Sequence, residues 1–422
     1  MAGETSTTAP VDRPAQSRRP RVRTFSSLRH RDFRYLWTGN LFNNGANWLQ
    51  QVTVGWLVWD LSHSAFLVGT VGGFRAVPFL LVGPWAGVMA DRVDRRKLIL
   101  LSQSLLAASA FLFALLVVSG QVQVWHAFVY ITVSGVAHSI LQPVRQALVA
   151  NTVPKEDLGN AYALNVVTIT SSRFVLPAIG GILIGAFGFT VNFFVESALY
   201  LVLALLIIPM HTPYREQSRH RHASALADLK EGVRYVWQDK PILQLIVMSF
   251  IPNFLVQPCL YLLPVFAGAV LHRGPEIYGT LLSINGIGGL TAAIVIASFG
   301  FILKKGLASL LMLTVATIGA IMLGLSHWLL LSILAVALIG FSQSTFRTSN
   351  GTLIQTLVPD SLRGRVMSVY HFDHGFTPLA SFLIGLFVDF YSPTGAVTVV
   401  GMIGLVLSIY FLLAFRRVRQ LE

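Results

Sequence analysis

Between Gly39 and Gln51 the chain reads GNLFNNGANWLQQ, and six of the twelve residues from Asn40 onward are amides. The surrounding run is otherwise apolar. At 100° per residue, Asn40, Asn44, Asn47 and Gln51 fall within about 60° of one helix face, with Asn43 and Gln50 beside it. Each amide brings two donors and an acceptor, and turning these groups toward an apolar medium is costly. The stripe therefore faces protein or water. Two arrangements satisfy it: hydrogen bonds to neighbouring helices, or the wall of a polar cavity that receives a solute. A later stretch, PNFLVQP, places Asn253 and Gln257 four residues apart on one helix face.

A second group of residues suits ion and proton chemistry. Arg75, Arg145, Arg173 and Arg347 lie within apolar stretches, as do Glu196 and the Asp373 of HFDHG with its flanking His371 and His374. Ionisable side chains in such places are costly, and they usually face a bundle interior. Arg75 and Arg173 each suit either an anionic solute or a buried acid. Arg145 and Arg347 lie near helix ends, where the side chain reaches water by snorkelling. A carboxylate out of water favours its protonated form, and histidine titrates near neutrality. Glu196, Asp373 and His371 are thus the candidates for a proton carrier. Asp373 also reads as a simple partner for a membrane arginine. Two histidines three apart, without a matching Cys or Glu, do not make a metal site.

The elements that hold these residues follow from composition. The chain of 422 residues is 54% hydrophobic and 12% charged, with mean hydropathy +0.66. Ordinary soluble domains are about 25% charged, so the pattern is that of a polytopic membrane protein. A spanning helix needs about 20 apolar residues. Twelve stretches qualify, near 34–60, 65–90, 98–118, 125–150, 161–187, 190–209, 242–271, 277–302, 307–326, 328–353, 366–390 and 395–415. The expected fold is all-α, with twelve transmembrane helices in two pseudo-symmetric six-helix bundles. With both termini cytoplasmic, 26 of the 31 Lys and Arg fall on the inner side, and Arg273 alone lies outside. That bias fixes orientation. The net charge of +13 is then a topology signal, not a nucleic-acid surface.

The expected organisation is a disordered basic tail (1–30), an N-terminal bundle (31–209), a cytoplasmic linker (210–241), a C-terminal bundle (242–415) and a short cytoplasmic tail (416–422). The linker segment ALADLKEGVRYVWQDKP is amphipathic and suits the membrane surface. Val153-Pro154 before the fifth stretch is echoed by Val358-Pro359 before the eleventh. Such a repeat of six helices is a transporter architecture, with its site at the midplane between halves. The start has no cleavable signal core, and the single Cys259 allows no internal disulfide. No phosphate-binding G-x-x-x-x-G-K-[ST] and no catalytic triad pattern is present. Neither an enzyme, a nucleotide-driven pump nor a cofactor is expected.

After the second stretch comes GVMADRVDRRK, with Gly87, Asp91, Arg92, Asp94, Arg95, Arg96 and Lys97. This resembles the G-x-x-x-D-R-x-G-R-R loop of the major facilitator superfamily, and it stands between the second and third spans as there. Asp94 replaces a glycine, so a left-handed Asp is expected to make the turn. VPDSLRGRVMSVY resembles the lead into that superfamily's helix eleven. FVLPAIGGILIGAFG resembles its exporters' Gly-Pro-x-x-Gly-Gly signature, with Leu176 in place of the first glycine. PVRQALVANTVPKEDLGNAYALN is similar to the branch of enterobactin exporters and macrolide-efflux proteins. The resemblance covers residues 28 to 415.

The resemblance implies alternating access around a central site. It implies that Asp91 closes an inner gate against the start of helix eleven, with Arg92, Arg95 and Arg96 beside it. It places Arg145 near a membrane arginine linked to proton coupling. The expected protein is a monomeric proton antiporter of the inner membrane that exports a small amphipathic compound, drug-like or siderophore-like. Its partners are that substrate, protons and lipid. A proton-coupled importer, or a membrane scaffold or receptor, would share parts of this pattern.

Overall fold

The computed structural model describes residues 25–211, 225–300 and 304–422. Within these, the side chains of Pro84, Gly87, Val88, Ala90, Asp91, Arg92, residues 225–229, Asp373 and His374 lie outside the description.

The described residues are helical throughout, without strands. In lipid this is what backbone hydrogen bonding demands. α1 (Arg31–Ser62) is followed by α2 (Ala65–Phe74) and α3 (Ala76–Arg92), which meet at Arg75. Next come α4 (Arg95–Val118), α5 (Val124–Thr152) and α6 (Leu158–Ile207). α7 (Ala225–Gln238) is the linker helix; it packs on α14 (Asp360–His371), where Arg365 pairs with Glu231 at 2.8 Å. After α8 (Lys240–Phe250) the chain passes through a π-helix at Ile251–Val256, α9 (Gln257–Tyr261), α10 (Leu263–Val265) and a second π-helix at Phe266–Val270. Pro252, Pro258 and Pro264 explain these breaks, since each removes an N–H and crowds the preceding turn. α11 (Pro275–Phe299), α12 (Lys305–Gly324), α13 (Leu329–Leu357), α15 (Thr377–Phe390), α16 (Pro393–Ala414) and α17 (Arg416–Arg419) complete the order.

Nine helical stretches among the described residues are long and apolar enough to cross a membrane. α1 is not one of them, because its amides offset its apolar residues. The stretch ending in α6 has 53 residues, enough for two crossings. It breaks at Gly188, whose φ of 78° and ψ of 179° belong to glycine alone. A Cβ there meets open space, so the cost of Gly188→Ala is backbone strain only. We expect that substitution to lower stability by about 1–3 kcal/mol, read as a drop in thermal unfolding midpoint in detergent.

The helices share two faces. At the near face α1 begins and α3 turns into α4; at the far face α1 ends and α2 begins. At the near face Asp157 ties the segment just before α1 to the start of α6, accepting from Ser26 Oγ at 2.7 Å and lying 2.9 Å from His30 Nε2. Toward the far face, glycines let helices come close. A Cβ on Gly279 of α11 would lie 2.3 Å from the Pro177 carbonyl of α6. One on Gly385 of α15 would lie 2.9 Å from the Ala65 carbonyl of α2.

Asp94 corrects one expectation. Its φ is −59°, not left-handed, and its carboxylate caps α4 by accepting from Arg96 N at 2.8 Å and Lys97 N at 3.2 Å. The turn is stabilised by the side chain at an N-cap, so no positive φ is needed.

Candidate functional site

The amides of α1 divide by depth. Asn40 donates to Asn165 Oδ1 at 3.3 Å, and Asn43 accepts from Gln103 at 2.8 Å. Asn44 leaves a buried Nδ2 without a partner. Farther along, Asn47, Gln50 and Gln51 line a cavity of about 320 Å³. Arg75, His138, Ser139, Gln142 and Tyr261 complete its polar wall, with Phe79 and Ile131 as apolar patches. One helix thus supplies both glue at its start and cavity wall at its middle.

Arg75 enters the cavity from the junction of α2 and α3. Its Nη2 donates to Asn47 Oδ1 at 2.9 Å and to Gln50 Oε1 at 3.1 Å. The other end of Gln50 points away from the cavity. Its Nε2 donates to Ser134 Oγ at 2.9 Å and to Glu196 Oε1 at 3.0 Å. The same Glu196 oxygen accepts from the Tyr130 hydroxyl. Glu196 is fully buried, and its Oε2 has no hydrogen bond. Gln50 therefore joins a cavity cation to a buried carboxylate, a polar path of two hydrogen bonds. Removing a single member would leave buried polar atoms unpaired, which is why such networks hold their geometry.

His138 lies beside this path. Its Nδ1 is 2.9 Å from the Ser134 carbonyl. A carbonyl only accepts, so Nδ1 carries a proton. Its Nε2 is buried and unpartnered. The ring packs edge-on against Tyr200, centroids 6.1 Å apart.

The remaining candidates fall elsewhere. Asn253 donates to the Ser249 carbonyl at 3.2 Å and lines a separate cavity of about 70 Å³ with Gln343, Arg347, Tyr370 and His371. Gln257 stands beside the Tyr261 hydroxyl. Arg145 is 8% exposed and outside the lining of the larger cavity. Arg173 donates to Asn285 Oδ1 at 2.7 Å, bridging α6 and α11. Of the loop motif, Arg95 reaches the Asn151 amide oxygen at 3.0 Å once that amide is oriented to accept. The side chains of Gly87, Asp91 and Arg92, and of Asp373, lie outside the described residues. Among the described residues, no three His, Cys, Asp or Glu side chains converge as metal ligands do.

Sequence reasoning picked out Arg145 in α5 but passed over that helix's polar stripe. Tyr130, Ser134, His138 and Gln142 recur every four residues in YITVSGVAHSILQ. That spacing is one helix face, so the stripe was legible without coordinates.

The fold and the site define a membrane transporter of the major facilitator type. The chain superposes on the nucleoside transporter NupG with a TM-score of 0.70 at 14% identity, covering 91% of this chain and 99% of that one. Residues 22–422 match the family described as transmembrane secretion effector, and the chain belongs to that family. It is 26% identical to the staphyloferrin A transporter of Staphylococcus aureus, across 88% of this chain and 94% of the relative. It is 24% identical to the enterobactin exporter EntS of Shigella flexneri, across 74% and 73%. Against macrolide efflux protein A of Streptococcus pyogenes the identity is 19%, across 80% and 84%. The family and its relatives are transporters, not enzymes.

Proposed function

We propose that this protein is a proton-coupled exporter of a small amphipathic compound, with the cavity around Arg75 as its substrate site and Glu196 as its proton carrier. The observation that carries this reading is the path Arg75–Gln50–Glu196, which links a cation at the cavity wall to a carboxylate sealed from water. Occupation of the cavity and protonation of Glu196 act on the same glutamine, so each state biases the other. Asp373 and His371 are the reserve carriers. Asn47, Gln50, Gln51 and Tyr261 contribute orientation and hydrogen bonds to the solute.

The frame is twelve spans in two bundles, 31–209 and 242–415, joined by the linker 210–241, in a monomer of the cytoplasmic membrane. Both termini are cytoplasmic, so the near face is the inner one. Close packing at the far face suits a state closed to the outside, and Asp91, Arg92, Arg95 and Arg96 form the inner gate that closes in the opposite state. Export is the direction named for the enterobactin and macrolide relatives.

The test is proton movement across vesicles holding the oriented, folded protein, on adding dyes, macrolides and siderophores. Proton movement opposite to substrate establishes the antiporter. Movement with substrate makes the protein an importer, and silence across the panel removes the coupled reading.

A further inference from the structure

Glu196 is sealed from water, so a proton that it carries needs a route in and out. Its Oε1 is taken up by the Gln50 amide and the Tyr130 hydroxyl. A neutral amide donates hydrogen bonds without giving up its protons. Tyr130 is itself buried and is not part of the cavity wall. The oxygen left to exchange a proton is Oε2, which has no hydrogen bond.

Two further buried polar atoms at this seam are unpartnered: the Tyr200 hydroxyl and His138 Nε2. Buried polar atoms are ordinarily satisfied, so three orphans in one place call for an explanation. α5 and the part of α6 after Gly188 both run from the far face to the near one, and their facing residues keep step. Tyr130 meets Phe193 and Glu196; two turns on, His138 meets Tyr200. Tyr200 follows Glu196 by one turn on the same helix face, and its hydroxyl neighbours that carboxylate. His138 lines the cavity, while its Nε2 is sealed from it. The Ser134 carbonyl holds Nδ1, so Nε2 is the nitrogen left for exchange. The residues thus stand in order from cavity to acid: His138, Tyr200, Glu196.

We propose that His138 and Tyr200 are the proton relay between the cavity and Glu196. This rests on the reading of Glu196 as the proton carrier. Rotation of the imidazole about its Cβ–Cγ bond brings Nε2 to cavity water, where it takes a proton. On its return, Nε2 gives that proton to the Tyr200 oxygen as the Tyr200 hydroxyl gives its own to Glu196 Oε2. Imidazolium and carboxylate become imidazole and carboxylic acid, and Tyr200 is restored. The reverse sequence discharges Glu196. The charged groups around the ring are Arg75 from the α2–α3 junction and Arg145 of α5. α1 adds only the amides of Asn47, Gln50 and Gln51 to the shared wall. The arginines keep their charge throughout, so the groups that change state are His138, Tyr200 and Glu196.

The test follows Glu196 itself and needs no cargo. In the full-length chain in detergent, photolysis of a caged proton starts the reaction. Time-resolved infrared absorption then records the carboxylic-acid band, assigned to Glu196 by its loss in Glu196→Gln. His138→Gln and Tyr200→Phe are each expected to slow the rise of that band about a hundredfold, the lower range for a positioned proton-transfer group, with its final amplitude kept. Tyr200→Phe retains the ring and removes a hydroxyl that makes no hydrogen bond, so packing is preserved. In His138→Ala, added imidazole restores the rate, which a purely structural role would not allow. A native rate in either His138→Gln or Tyr200→Phe, or slowing in His138→Ala that imidazole leaves unrelieved, overturns the relay and leaves Glu196 as the carrier. A band that persists in Glu196→Gln instead removes the carrier, and the relay with it.

Discussion

Glu196→Gln abolishes substrate-dependent proton movement, to the level of empty vesicles, while the protein stays folded and still binds its cargo. The substitution keeps shape and an acceptor oxygen. Tyr130 still donates to that oxygen, and Gln50 still bridges to Arg75. What is lost is the group that ionises. The loss of a charged acceptor in a buried network costs about 1–3 kcal/mol, seen as a modest fall in unfolding midpoint. Two readouts separate the role of Glu196 from general damage: proton movement falls to background, whereas substrate binding to the purified protein in detergent persists. Proton movement at the native rate in Glu196→Gln would pass the carrier role to Asp373 or His371. Gln50→Leu is the companion variant. It keeps the acid and the cation but cuts the path between them, so uncoupled binding with residual proton leak is its expected signature.

The helical membrane architecture was legible because composition and the lengths of the apolar stretches act over hundreds of residues. The amide stripe was legible because 3.6-residue periodicity is local. Its division into glue and cavity was not, because that depends on what stands opposite each amide: Gln103 faces Asn43, and Arg75 faces Asn47. Glu196 was found by its scarcity, as an acid within an apolar helix. Its link to Arg75 was not, since it runs through Gln50, which sits at the margin of the stripe. Asp94 was misread because its residue type suits both a left-handed turn and an N-cap, and only the following N–H groups decide. Asp389 was passed over altogether. An acid at the end of an apolar helix reads as an interfacial residue, and its partners lie more than 320 positions earlier.

Asp389 bears on the second large effect, at the far face. Its carboxylate accepts from Ser64 Oγ at 2.6 Å, Ala65 N at 2.7 Å and Phe66 N at 3.1 Å, capping the start of α2 from the end of α15. Behind this cap the helices meet through glycines. A Cβ on Gly69 would lie 2.8 Å from the Ser381 carbonyl, and one on Gly181 only 2.4 Å from the Pro275 carbonyl. These neighbours are backbone atoms, so they cannot turn aside. A branched side chain at Gly279, facing the Pro177 carbonyl at 2.3 Å, must push α6 and α11 apart. In an alternating-access cycle that penalty falls on the far-closed state alone, because the helices separate there when the site opens outward. Gly279→Val should therefore trap the protein open at the far face and cut transport at least tenfold, each 1.4 kcal/mol of bias being a factor of about ten. Asp389→Asn keeps the packing but removes the charge at a helix start and one of the two oxygens that accept from Ser64, Ala65 and Phe66, so its effect on transport is smaller than that of Gly279→Val and sensitive to salt. Ser283, buried in the wild type, reports the difference as Ser283→Cys: an impermeant thiol reagent added at the far face reaches it in Gly279→Val and not in the parent. A protected thiol with native transport in Gly279→Val would show that α6 and α11 do not separate at this seam, and the moving interface would then have to lie along α2 and α15.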